Sequence, residues 1–140
     1  MNASENLSEK FNISTLVKCQ QNFAKTLALS NELYPQHPDF SRQAVIKAYE
    51  IAIEVSWKTM QRWIQLNQDS NIHQKPKREL FRAAYSAGLI SDPAQWWTLF
   101  EGRNKTAHIY MEDTAQAVYQ MALSFSAILE NFIKNIEARL

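Results

Sequence analysis

The sequence predicts an all-α fold: an antiparallel four-helix up-and-down bundle with an additional short helix, built as one domain over residues 1–140. Three observations predict it. Apolar residues recur at three- and four-residue spacing along most of the chain, which is the period of a helix face. The 140 residues hold only two glycines, Gly88 and Gly102, and four prolines, so long helices outnumber tight turns. Helix-starting and helix-stopping residues fall between the periodic segments, where they divide them into four main helices and a short one. A chain of this length can bury a real core.

The first segment reads as helix from about Ser4 to Leu33, with Leu16, Phe23 and Leu27 at helical spacing. Leu7 and Phe11 suit an earlier turn, and Ile13-Ser14-Thr15 is a place to bend. Tyr34-Pro35-Gln36-His37-Pro38 ends the segment, because two prolines so close exclude helix. His37 reads as a solvated loop residue. Asp39 or Ser41 is expected to cap the second helix, which runs to about Leu66. That helix carries two apolar stripes: Val45, Tyr49, Ala52 and Trp63, then Ile46, Ile53, Trp57, Met60 and Ile64. Two apolar faces make it central, touching several neighbours or a partner chain. Glu50 and Glu54 lie four apart and share a face. They are either salt-bridged surface carboxylates or an acid that holds a functional Arg or His.

After a polar loop at Asn67-Gln68-Asp69-Ser70-Asn71, with a solvated His73 beside it, Pro76 opens a short third helix, Lys77 to Ala87. Leu80, Phe81, Ala84 and Tyr85 form its apolar face, and Gly88 sits where a left-handed C-cap glycine belongs. Asp92 caps the fourth helix, Pro93 takes its first position, and Gln95 completes a capping-box variant. Trp96, Trp97 and Phe100 anchor it. Asp113, answered by Gln116, is expected to cap the last helix, whose seam is Val118, Ala122, Phe125, Leu129, Phe132, Ile136 and Leu140.

Composition limits function. With no run of eighteen apolar residues the chain offers no membrane span. Met1-Asn2-Ala3-Ser4-Glu5 lacks the basic start and apolar core of a signal peptide, so a cytoplasmic protein is expected. Cys19 is the lone cysteine, which excludes a disulfide framework and a cysteine-based metal site. A net charge of +1 means that any nucleic-acid binding must come from a local patch. One such run exists: Lys58, Arg62, Lys75, Lys77, Arg78 and Arg82 against Asp69 and Glu79.

The densest chemistry lies in Glu101-Gly102-Arg103-Asn104-Lys105-Thr106-Ala107-His108-Ile109-Tyr110. Arg is a fixed positive fork for phosphate, His exchanges a proton near neutrality, and Tyr offers a hydroxyl. Together they suit phosphodiester or phosphoryl chemistry without a metal or cofactor. On a continuous helix Arg103 and His108, five apart, would point roughly 140° away from each other. For both to act on one phosphate, the helix must end or loosen near Ala107, or a second chain must contribute. The alternative is structural: a surface Arg, a His at a helix C-terminus and an interfacial Tyr.

Two stretches carry a resemblance. Val45 to Thr59, ending Trp57-Lys58-Thr59, is similar to the second-helix signature of one branch of the HEPN domains, the nucleotidyltransferase substrate-binding proteins. Arg103, four residues, His108, one residue and Tyr110 match the HEPN motif, including a polar Asn104 after the arginine. Arg82 to Ile90 and Asp92 also look like this branch. The resemblance implies a single HEPN-like helical domain, a homodimer with both motifs facing one cleft, and a toxin acting as a metal-independent ribonuclease. It implies a minimal nucleotidyltransferase as antitoxin, able to add AMP to Tyr110. In that reading Arg103 and His108 are catalytic, Asn104 supports them, and Glu54 orients Arg103 or His108. The alternative is a non-catalytic nucleotide- or substrate-binding subunit of a two-chain nucleotidyltransferase.

Overall fold

The computed structural model describes residues 11–108 and 110–140. Within them the chain forms α1 (Ser14–Leu33), α2 (Pro38–Asn67), α3 (Lys77–Ser86), α4 (Pro93–Asn104) and α5 (Glu112–Glu137), with 3₁₀ turns at Ile72–Gln74 and Lys105–His108. No strand occurs among the described residues, and the fold is an all-α bundle. No helix of the described residues is long and apolar enough to cross a membrane.

The helix at the centre is α2. It packs on α1, α3, α4 and α5, so its two apolar faces are covered within the chain. Val45, Tyr49, Ile53, Met60 and Ile64 are fully buried, while Ile51 stays on the surface. The α5 seam closes the bundle with Val118, Ala122, Phe125, Leu129, Phe132 and Ile136. Trp96 of α4 sits edge-on to Phe125 and Phe132, with ring centroids 5.7 and 5.4 Å away. These edge-to-face contacts fix α4 against α5 beyond what apolar burial alone supplies.

Several boundaries differ from the sequence reading. The N-terminal flank of α1 is Ile13, and the stretch before residue 11, including Leu7, lies outside the described residues. Neither Asp39 nor Ser41 caps α2. Pro38 itself opens the helix after His37, since its fixed φ suits the first turn and its missing N–H costs nothing there. Asp39 then pairs with Arg42 at 3.5 Å, and Ser41 is buried, where its hydroxyl donates to the Ser30 carbonyl at 2.7 Å. Tyr85, assigned to the apolar face of α3, is exposed, and so is Leu140, which lies beyond the end of α5. Asp113 does not cap α5 either. Met111 is the flanking residue in extended conformation, and Glu112 begins the helix. Arg42 of α2 grips Glu112 with two bonds, 2.7 and 3.0 Å, and reaches Gln116 at 3.3 Å, so a cross-helix pair replaces the expected capping box. The expected signals do operate at Asp92, whose carboxylate accepts from the N–H groups of Ala94 and Gln95, and at Gly88, which has φ +79°.

Candidate functional site

The C-terminal end of α4 is seated by close approach of three elements. Gly102 is buried, and a Cβ there would collide with Met121 Sδ of α5 and come within 3.1 Å of Tyr49 Oη of α2. The Tyr49 hydroxyl donates to the Leu99 carbonyl, within the last turns of α4. Burial pushes the Tyr49 phenol well up from its ordinary value despite the nearby Arg103 charge, so it stays a neutral donor. A glycine and a tyrosine thus bring the α4 backbone against α2, and the next residue, Arg103, meets the acidic face of α2.

Arg103 Nε donates to Glu54 Oε2 at 3.1 Å, and its Nη2 lies 4.0 Å from Glu50 Oε1. Both acids noted in the sequence therefore face the arginine. Glu54 is shared further: the Trp57 indole N–H donates to the same Oε2 at 3.1 Å, and Lys58 Nζ lies 3.3 Å from Oε1. Burial pushes the Glu54 carboxyl up, but the bonds from Trp57 and Lys58 and the Arg103 charge outweigh it and hold it below its ordinary value. Glu54 is thus a carboxylate at neutral pH, and the half-buried Arg103 has a fixed orientation.

Past Asn104 the α-helix gives way to the 3₁₀ turn Lys105–His108. The loosening begins earlier than Ala107. Thr106 is buried, and its hydroxyl donates to the Arg103 carbonyl at 2.8 Å, satisfying one of the helix-end acceptors. The tighter turn of three residues changes the direction in which His108 leaves the backbone relative to a continued α-helix. His108 and Asn104 are exposed. The His108 ring stands edge-on to Tyr110, centroids 6.0 Å apart, and Tyr110 is 79% exposed in the connection to α5.

The structure therefore brings together Glu54, Glu50, Trp57 and Arg103 in one cluster, and His108 with Tyr110 in another, joined by the Thr106-locked turn. Trp57, Thr106 and Lys58 were not assigned to the site from sequence. The signal for Trp57 and Lys58 was present, since they fall three and four residues after Glu54 on one helix. Thr106 gave no signal, because its role depends on where α4 ends. Among the described residues no group of three or more His, Cys, Asp or Glu side chains is arranged to hold a metal ion.

The all-α bundle is a class of helical fold that known proteins share. Residues 11–138 match the family described as "Nucleotidyltransferase substrate binding protein like". The chain belongs to this family. It is 36% identical over 78 residues to the probable ribonuclease HepT of Haemophilus influenzae, covering 53% of this chain. The matched stretch spans about half of that relative, 52%. The fold is similar to a solved Haemophilus influenzae structure described as the fold of a substrate binding domain of a nucleotidyltransferase, with a TM-score of 0.80 at 23% identity, covering 90% of this chain and 99% of that one.

Proposed function

We propose that the chain is a metal-independent ribonuclease, the toxin of a toxin–antitoxin pair whose partner is a minimal nucleotidyltransferase. The observation that carries the reading is the Glu54–Arg103 bond directly ahead of the turn that ends in exposed His108. The partial similarity to a probable ribonuclease supports it.

In the proposed reaction His108 takes the proton from a ribose 2′-hydroxyl, and the oxygen attacks the adjacent phosphorus. Arg103 binds the phosphate and offsets the charge growing on its oxygens. The 5′-oxygen leaves and accepts a proton, from water or from the second His108 of a homodimer. The products are a 2′,3′-cyclic phosphate and a 5′-hydroxyl. Asn104 orients the phosphate or His108, and Glu54 positions Arg103. Tyr110 is the proposed AMP acceptor through which the partner silences the cleft.

A second reading has its own support. The family description names a nucleotidyltransferase substrate binding protein, and the similar solved structure is described as a substrate binding domain of a nucleotidyltransferase. The same side chains would then hold nucleotide without cleaving it. Incubating purified protein with total RNA separates the two. Cleavage that needs Arg103 and His108 supports the ribonuclease; intact RNA together with nucleotide binding, strengthened by the partner enzyme, supports the binding subunit.

A further inference from the structure

Lys58 of the basic run sits on Glu54 beside Arg103, but two of its arginines, Arg78 and Arg82, gather away from that site. Arg78 and Arg82 lie four apart on α3, on the side where α3 packs against α4. With Pro93, Ala94 and Trp97 at the start of α4 they line a groove of about 240 Å³. The Arg78 guanidinium sits over the Trp97 ring, 4.4 Å from its centroid. Trp97 packs on Phe100 at 5.8 Å, and Phe100 meets Trp57 edge-on at 6.1 Å. Trp57 carries Lys77 Nζ 4.3 Å over its ring and hydrogen-bonds Glu54, the partner of Arg103. An aromatic strip flanked by cations thus runs from the groove to the candidate site. Along the α4 axis, Trp97 and Arg103 are separated by six residues, roughly 9 Å, and by roughly 120° around it, a turn that Phe100 and Trp57 bridge.

Resting on the ribonuclease reading, we infer that the Arg78–Arg82–Trp97 groove is a second binding site, which holds a flanking nucleotide of single-stranded RNA whose scissile phosphate lies at Arg103. The chemistry fits that ligand. Single strands are held by cations that track the backbone and by π-faces or guanidinium planes on which bases stack. Arg78 is exposed and holds its guanidinium over an aromatic ring, a plane of the kind on which a base stacks. Arg82 is exposed beside it and supplies charge to a phosphate, although it is shared with Glu79 at 2.7 Å. With a net charge of only +1, the whole chain draws RNA weakly, so a local site of this kind would account for affinity.

The test measures anisotropy of a short labelled single-stranded RNA on the full chain carrying His108→Ala, which leaves the RNA uncut. Adding Arg78→Gln and Arg82→Gln together is expected to weaken binding about tenfold, the effect of losing one stacked base. The slope of log K against log salt should shrink by about 0.7 for each phosphate that the groove no longer neutralises. Arg78→Lys should restore the slope but not the affinity, because an ammonium keeps the charge without the plane. Unchanged affinity and slope in a protein that still binds RNA would overturn the groove and leave the ribonuclease reading standing. A parent that binds no RNA would overturn both. Variants that bind RNA normally but lose a second copy of the chain or the nucleotidyltransferase would make the groove a protein interface instead.

Discussion

Arg103 Nε and Glu54 Oε2 meet at 3.1 Å across 49 residues of sequence, and the same carboxylate oxygen accepts from the Trp57 indole. A guanidinium left free at a helix end would sample many rotamers. Fixing it costs entropy, and that cost is met here in the folded state, before any phosphate arrives. The proposed role of Arg103 depends on this.

Glu54→Gln tests the fixation. The amide keeps one acceptor oxygen and loses the charge, so cleavage should fall roughly tenfold, the cost of about 1.4 kcal/mol in positioning. The fold should persist. The linkage has a definite sign. The Glu54 carboxyl is held below its ordinary 4.5, so its stabilisation is present above that value and is lost as pH falls through the lower folded value. Melting temperatures followed from about pH 6 to about pH 3 should drop more steeply in the parent than in Glu54→Gln. Equal slopes would mean that Glu54 contributes nothing to the fold.

Gly102→Ala addresses the seating of α4. The new methyl meets Met121 Sδ, which can swing away, and Tyr49 Oη, which is buried and bonded. Overpacking of this kind costs about 1–3 kcal/mol. The expected result is a lower denaturant midpoint and weaker cleavage, through displacement of Arg103. A variant with parental stability and rate would show that α2, α4 and α5 meet less tightly at Gly102 than this packing implies.

Tyr110→Phe tests the proposed switch. At 79% exposed, the Tyr110 phenol is open to another enzyme's active site. Added AMP would place an anion near Arg103, which favours paired contacts to phosphate oxygens. Co-expression with the nucleotidyltransferase should leave AMP on Tyr110 and no ribonuclease activity, whereas Tyr110→Phe should cut RNA and resist silencing. Intact mass decides it: unmodified protein, or AMP on another residue, counts against the switch.

A homodimer should be present at micromolar concentration, with the end of α4 in its interface. The motive is narrower than the sequence suggested, because α2 finds its neighbours within the chain. What remains is the place of a second His108 as proton donor to the leaving oxygen, in preference to water. Sedimentation that shows a monomer with full activity would remove it.

The bundle was legible because its signals are local. The 3.6-residue period, the Asp92 cap and Gly88 each act within a few residues. What the sequence misassigned has one local cause, a proline, and one that depends on packing. Pro38 displaced Asp39 as the start of α2, and Arg42 recruited Glu112 and Gln116 from a helix about seventy residues away. At the site, the residue types and their spacing could be read, with two options left open: a helix that ends or loosens near Ala107, or a contribution from a second chain; the α-helix in fact gives way at Lys105. The choice of partner for Glu54 could not be read, because it rests on how α2 and α4 approach at Gly102.

The most direct measurement is product analysis of RNA incubated with purified protein in EDTA. Arg103→Ala and His108→Ala serve as controls, each expected to fold at a cost of about 1 kcal/mol or less. The parent is expected to leave 2′,3′-cyclic phosphate ends, and both folded variants to leave the RNA intact. Cleavage that vanishes with chelator and returns with magnesium, or that survives unchanged in either variant, would contradict the proposed reaction.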